Sequence, residues 1–239
     1  MSKSFSIEKA FSVCRAVFQK HIGFLIGLEL FVMFFSQGLP FALKHFAGSM
    51  DHTVFLTCRT LLYVLALFLS MGQVRIALRL LDEDRGEWAD MFHLDLFPKY
   101  LATAILFALI LLGGPIGFSR LIRAMRDYFV HGGHLFPHAY ILIYSVIGIW
   151  GLSIILVPVW LPQFFFCMYA VVDRSAGPFS ALRQGSEISR GNRIQVLGLI
   201  ITLAFLNLAG ALALGIGLIV TFALGHLIGA YCYRELSKT

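Results

Sequence analysis

Long runs of apolar residues constrain this chain more than any other feature. The hydrocarbon core of a bilayer is about 30 Å thick, and a helix needs roughly 20 apolar residues to cross it. Runs of that length extend from His21 to about Leu43, from Val54 to about Leu81 and from Tyr100 to about Phe118, predicting spans over 21–43, 54–81 and 100–118. A fourth run, 139–172, would be roughly 50 Å long as one helix, too long for a single straight crossing. Two short spans there would put Arg174, Arg183, Arg190 and Arg193 outside, against the tendency of basic residues in short loops to stay cytoplasmic. One crossing kinked near Pro158 and Pro162 is the expectation, because proline removes a backbone donor and clashes with the preceding turn. From Ile194 to Tyr233 there is length for two more spans, 194–210 and 215–234, with Gly210, Gly215 and Gly217 placed for a tight reversal. The expected fold is therefore all-α: one polytopic membrane domain over 1–239 with about six transmembrane helices.

Composition excludes a soluble globule. Hydrophobic residues make up 59% of the chain and charged residues only 13%, against roughly a quarter in soluble domains, so lipid must cover the excess. The net charge of +6 does not indicate a nucleic-acid partner, because the 19 basic residues are divided among short loops and form no basic run. They orient the chain instead. With six spans, fourteen lie on the side of the two termini, four lie opposite, and Arg59 falls inside the second span. That asymmetry predicts two cytoplasmic termini. The first twenty residues contain no apolar core of the kind a cleavable signal needs. Cys14, Cys58, Cys167 and Cys232 are widely spaced and read as small buried hydrophobes.

Two segments have the pattern of helices lying on the cytoplasmic surface. In 6–20, Ile7, Phe11, Cys14 and Phe18 recur at helical spacing, with the charged residues mainly elsewhere. In 178–190, Pro178 suits a first helical turn, Phe179 and Leu182 form an apolar edge, and Gly191-Asn192 is a stop signal. Each precedes a span. Setting Ala10 against Ala181 aligns Phe11 with Leu182, Val17 with Ile188 and Gly27 with Gly198, a faint match that fits two halves of three helices each.

The stretches GQVRIALRLLDEDRGEWADMF (72–92), VVDRSAGPFSALRQGSEISRGNR (171–193) and LNLAGALALGIGLIVTFALGHLIGAYCYREL (206–236) resemble a superfamily of uncharacterised bacterial membrane proteins. It includes the YciC-like proteins and the membrane domain of some glycerophosphoryl diester phosphodiesterases. The most specific piece is the pattern carried by Ala181, Leu182, Ser186, Gly191 and Asn192. This chain differs from many relatives in its longer stretch over 120–157. The resemblance implies a multi-pass protein of the bacterial inner membrane with no catalytic residues to transfer.

Among single residues, Glu29 is the most informative, since an ionisable group well inside a span normally faces protein or water. Counted from the cytoplasmic side, His226 falls at about the same depth and Gln73 nearer that side. The three form a candidate intramembrane polar site, read either as a proton or cation relay or as a hydrogen-bonded structural pair. His131, His134 and His138 have three imidazoles in a short stretch, a weak candidate for Zn²⁺ that lacks a nearby carboxylate. No cofactor is implied. Gly215-x-Gly217 follows no strand and reads as close helix packing, not nucleotide binding. The expected function is a membrane scaffold, accessory subunit or envelope-homeostasis factor, with a small proton- or ion-coupled transporter or channel as the alternative. Its expected partners are the lipid bilayer and other membrane proteins or further copies of itself.

Overall fold

The computed structural model describes residues 6–46, 51–108, 161–162, 165–213 and 215–238. These residues are helical, with no strand among them. Helix α1 (Ile7–Lys20) begins where the Ser6 side chain accepts the Lys9 N–H, a cap for one of the unpaired donors of the first turn. After His21 the chain enters α2 (Ile22–Met33), a π-helical turn (Phe34–Gly38) and α3 (Leu39–Phe46). Through the π-turn the Leu39 N–H reaches back to the Phe34 carbonyl. Pro40, which has no N–H to offer, follows at once, so the ladder changes register where it would have lost a bond. Helix α4 (His52–Glu83) is capped by Asp51, whose carboxylate accepts the Thr53 N–H at 2.9 Å. Its 32 residues make a rod of about 48 Å, longer than the hydrocarbon layer is thick. Then come a 3₁₀ turn (Trp88–Met91), α5 (Phe97–Ala108), α6 (Cys167–Arg174), α7 (Pro178–Ser189), α8 (Arg193–Leu212) and α9 (Ile216–Ser237).

Among the described residues, three segments are long and apolar enough to cross a membrane: Ile22–His45, His52–Glu83 and Arg193–Leu212. They match the expected spans 21–43, 54–81 and 194–210 to within a few residues. The expected span 215–234 corresponds to α9, whose 22 residues give about 33 Å. Of the span 100–118, the described part is helical up to Ala108. Most of 139–172, with Pro158, lies outside the described residues.

Burial divides the bundle into two zones. The second half of α4 is enclosed on nearly every side, with Leu69, Met71, Gly72, Gln73, Val74, Ile76, Ala77, Leu78 and Leu80 all buried. Around it gather the last half of α9 (Leu227, Ile228 and Tyr233), helix α6, α2 and the 3₁₀ turn, while α1 packs on α9 and α7 on α6 and α9. The other zone is apolar yet uncovered among the described residues. Val54, Leu56 and Leu61 of α4, Phe41 of α3, and Ile201, Phe205, Leu208 and Leu212 of α8 are exposed there. Such a surface, on helices long and apolar enough to cross a membrane, is compatible with contact to lipid.

The covered zone carries a rim of ion pairs. Arg234 of α9 bonds Asp173 of α6 at 2.7 Å and also Asp82 of α4, while the Tyr233 hydroxyl donates to Asp173 at 2.9 Å. Lys20 and His21 both meet Asp84, His21 at 2.9 Å, and Lys99 donates to the Ser175 carbonyl at 3.0 Å. The ends of α1, α4, α6 and α9 therefore share one end of the bundle. Past α4 the chain doubles back along it: Met91 packs against Gly72, about 16 Å from the end of the helix. Trp88 stands edge-on to Phe24 and Phe31, and Phe68 meets Phe92 and Phe97.

Helix α1 uses the face its hydrophobic spacing marks, turned slightly toward its small residues. Ala10, Cys14 and Phe18 are buried and α1 packs chiefly on α9, whereas Phe11 is only partly covered. In α7 the buried residues are Ala181, Leu182, Gly185 and Ser189, and Phe179 points away at 79% exposure. In the register Ala10 to Ala181, the buried positions 10, 14 and 18 coincide with 181, 185 and 189. Helices α1 to α4 and α7 to α9 thus share an order: a short amphipathic helix, then an apolar helical segment, then a second long helix.

Candidate intramembrane polar site

In α2 the buried residues are Leu25, Leu28, Glu29 and Val32, the i, i+3, i+4, i+7 stripe of a helix with one face turned inward. Glu29 lies on that stripe, about 10 Å along the helix from Ile22. Facing it is Gln73 of α4, whose amide Nε2 donates to Glu29 Oε2 at 2.7 Å. Both side chains are 5% exposed, so the bond satisfies two polar groups that water does not reach. His226 of α9, half-buried, borders the same small cavity with Leu25, Leu28, Ile76, Ala77 and Leu227. The cavity offers only about 10 Å³ to the centre of a water-sized sphere, room for a single molecule. No hydrogen bond joins His226 to Glu29 or Gln73. The arrangement brings three helices together around one cavity: a carboxyl and an amide bonded directly, and an imidazole lining the same space.

The five family-like residues form an elbow. Ala181 and Leu182 lie on the buried face of α7, and Ser186 is partly covered one turn later. Gly191 turns the chain at φ +88°, a conformation that costs a side-chain-bearing residue roughly 1–2 kcal/mol. Asn192 then stands at the N-cap of α8, its carbonyl accepting the Val196 N–H at 2.9 Å and its own N–H bonding the Ser189 carbonyl at 3.1 Å. The serine that anchors the elbow is Ser189, not Ser186: its buried hydroxyl bonds the Gly185 carbonyl at 2.9 Å and the Pro162 carbonyl. Only Pro162's position 27 residues away distinguishes Ser189 from any helical serine, and that is invisible in the local pattern.

The α8–α9 reversal uses Gly215 at φ +77°. A methyl on Gly210 would stand 2.9 Å from the Gly217 carbonyl oxygen, so the glycines do bring the two helices into close packing. His131, His134 and His138 lie outside the described residues; among the described ones, no three histidine, cysteine or acidic side chains cluster as metal ligands. The four thiols are free, and burial pushes that of Cys14 up to about 12. Outside the spans, the Lys20 ammonium and then the His21 imidazole hold the Asp84 carboxyl below its ordinary range. Asp90, buried beside α4 and paired with Arg79, was not marked by any sequence signal.

No protein-family model matches this chain, and no curated protein or solved structure matches it either.

Proposed function

We propose that this chain is a multi-pass scaffold of the bacterial inner membrane, belonging with the YciC-like superfamily, that holds a helical hub at the cytoplasmic face for other membrane proteins or further copies of itself. Six crossings with both termini cytoplasmic accommodate the described helices and the charge asymmetry together. The observation that carries the scaffold reading is the direct bond between Gln73 and Glu29 beside a cavity for one water. A solute path needs continuous space, whereas this carboxyl is fastened to the neighbouring helix and serves to pin α2 to α4. The ion pairs of Arg234 with Asp82 and Asp173 fasten the other helix ends in the same manner. One feature favours the second reading, a proton- or ion-coupled transporter using Glu29 and His226: His226 borders both the cavity and a larger groove on its other side.

Glu29→Gln separates the two. It keeps a hydrogen-bonding side chain of the same size but cannot carry a proton in exchange. A scaffold bearing it should keep the same co-purifying partners from native membranes and complement a deletion strain. Loss of complementation with the partner set intact would favour the transporter.

A further inference from the structure

On the far side of His226 from Glu29, helices α6, α8 and α9 enclose a groove of about 330 Å³. Its walls are mainly apolar: Phe165 from the turn before α6, Ile200 and Leu203 from α8, and Phe222 from α9. Three of the lining residues carry polar side-chain atoms, Tyr169, Asn207 and His226. The Asn207 side-chain amide oxygen is buried with no hydrogen-bond partner among the described residues. An unpaired buried acceptor costs about 1–3 kcal/mol, so a donor is missing from this place. A lone water would satisfy the amide but leave most of this largely apolar groove unfilled. The size falls in the range of small-molecule sites, which typically combine apolar walls with a few placed polar groups.

Resting on the reading of α8 and α9 as spans, the surroundings narrow the occupant. Phe205 and Leu208, on α8 beside Asn207, are exposed and apolar, so the groove adjoins the acyl-chain layer and is reached from it. Asn207 lies about 21 Å along α8 from Arg193 and about 8 Å from Leu212 at its other end, and His226 about 12 Å from Arg234. The groove lining holds no lysine or arginine to pair with a phosphate or carboxylate headgroup, whereas a hydroxyl needs only a hydrogen-bonding partner. A hydroxyl both donates and accepts, which suits an amide in either orientation.

We propose that this groove binds a neutral amphiphile, an apolar chain ending in a hydroxyl, with that hydroxyl hydrogen-bonded to Asn207. Gly225 leaves the space beside it open: a methyl there would stand 3.9 Å from Leu203, in ordinary contact.

The test uses the full chain in nanodiscs and hexadecanol bearing a diazirine. Photolabel should map to the peptides around 200–207 and 222–226, and excess hexadecanol should compete it away while hexadecane and hexadecyl phosphate do not. Asn207→Leu should weaken labelling roughly two- to tenfold, the value of one hydrogen bond. Ala204→Trp, which fills the groove from an exposed position, should abolish it. Label spread over the whole apolar surface, or equal competition by hexadecane, would overturn the proposal, as would unchanged labelling of monodisperse variants. Competition on the unaltered chain decides the matter even if a variant fails to fold. Carbonate extraction of the source membranes checks the membrane reading separately: a chain released by carbonate would refute that reading, whatever the labelling shows.

Discussion

Replacing Gln73 by leucine should destabilise the protein, and replacing Glu29 at the same time should recover part of the loss. Gln73→Leu conserves most of the volume but strips Glu29 of its partner in a place where both side chains are 5% exposed. The upper bound is the cost of an orphaned buried polar group, about 1–3 kcal/mol. Interhelical hydrogen bonds in membranes are worth less, about 0.6 kcal/mol on average and up to about 1.7, because the unfolded chain in lipid finds other partners. A 2.7 Å bond between two covered groups belongs toward the upper part of that membrane range, so a loss of about 1–2 kcal/mol is expected. Glu29→Leu should cost a similar amount by orphaning the amide. The double variant, with two apolar side chains meeting in a small apolar-walled cavity, should cost less than the sum by at least about 0.6 kcal/mol. Reversible unfolding by SDS in mixed micelles measures all four proteins. Strict additivity, within about 0.3–0.5 kcal/mol, would refute the idea that this pair pins α2 to α4.

Two further expectations concern the hub. Single cysteines placed along 178–190 in a background lacking the native thiols should be protected at 181, 182, 185 and 189 and reactive at 179 and 183; a uniform profile would rule out the docked elbow. The Asp84 contact should depend on pH in one direction. Because its carboxyl is held below the ordinary value near 3.9, the contact stabilises the fold fully above that pH and is lost as pH falls through the depressed value. Hydrogen exchange at the junction of α1 and α2 should accelerate on that descent in the native chain and show no such step in Asp84→Asn.

The helical class was legible because lipid leaves a backbone no external partners, so each long apolar run has one way to satisfy its own donors and acceptors. Rise per residue alone sets Glu29 and His226 at one level, and the two line one cavity. What it did not convey was contact. Gln73, counted nearer the surface, reaches Glu29 because the second half of α4 runs through the centre of the bundle. Arg234 meets Asp82 across 152 positions, a pairing no local pattern carries. In α1 the stripe of Ile7, Phe11, Cys14 and Phe18 marks the packed face, but the small Ala10 and Cys14 lie deepest on it while Ile7 and Phe11 are only partly covered. Close packing selects small side chains that hydrophobic periodicity underweights. The return of 84–96 along α4 was hidden because Trp88, Phe92 and Phe97 have no helical period and read as a loop.

The central claim is a hub on the cytoplasmic side built by both ends of the chain, and a reporter fused after Thr239 tests it most directly. An enzyme active only in the periplasm should be silent there, and a fluorescent protein that matures only in the cytoplasm should shine from the same position. Strong periplasmic activity with a dark fluorescent fusion would contradict the orientation or the even number of crossings.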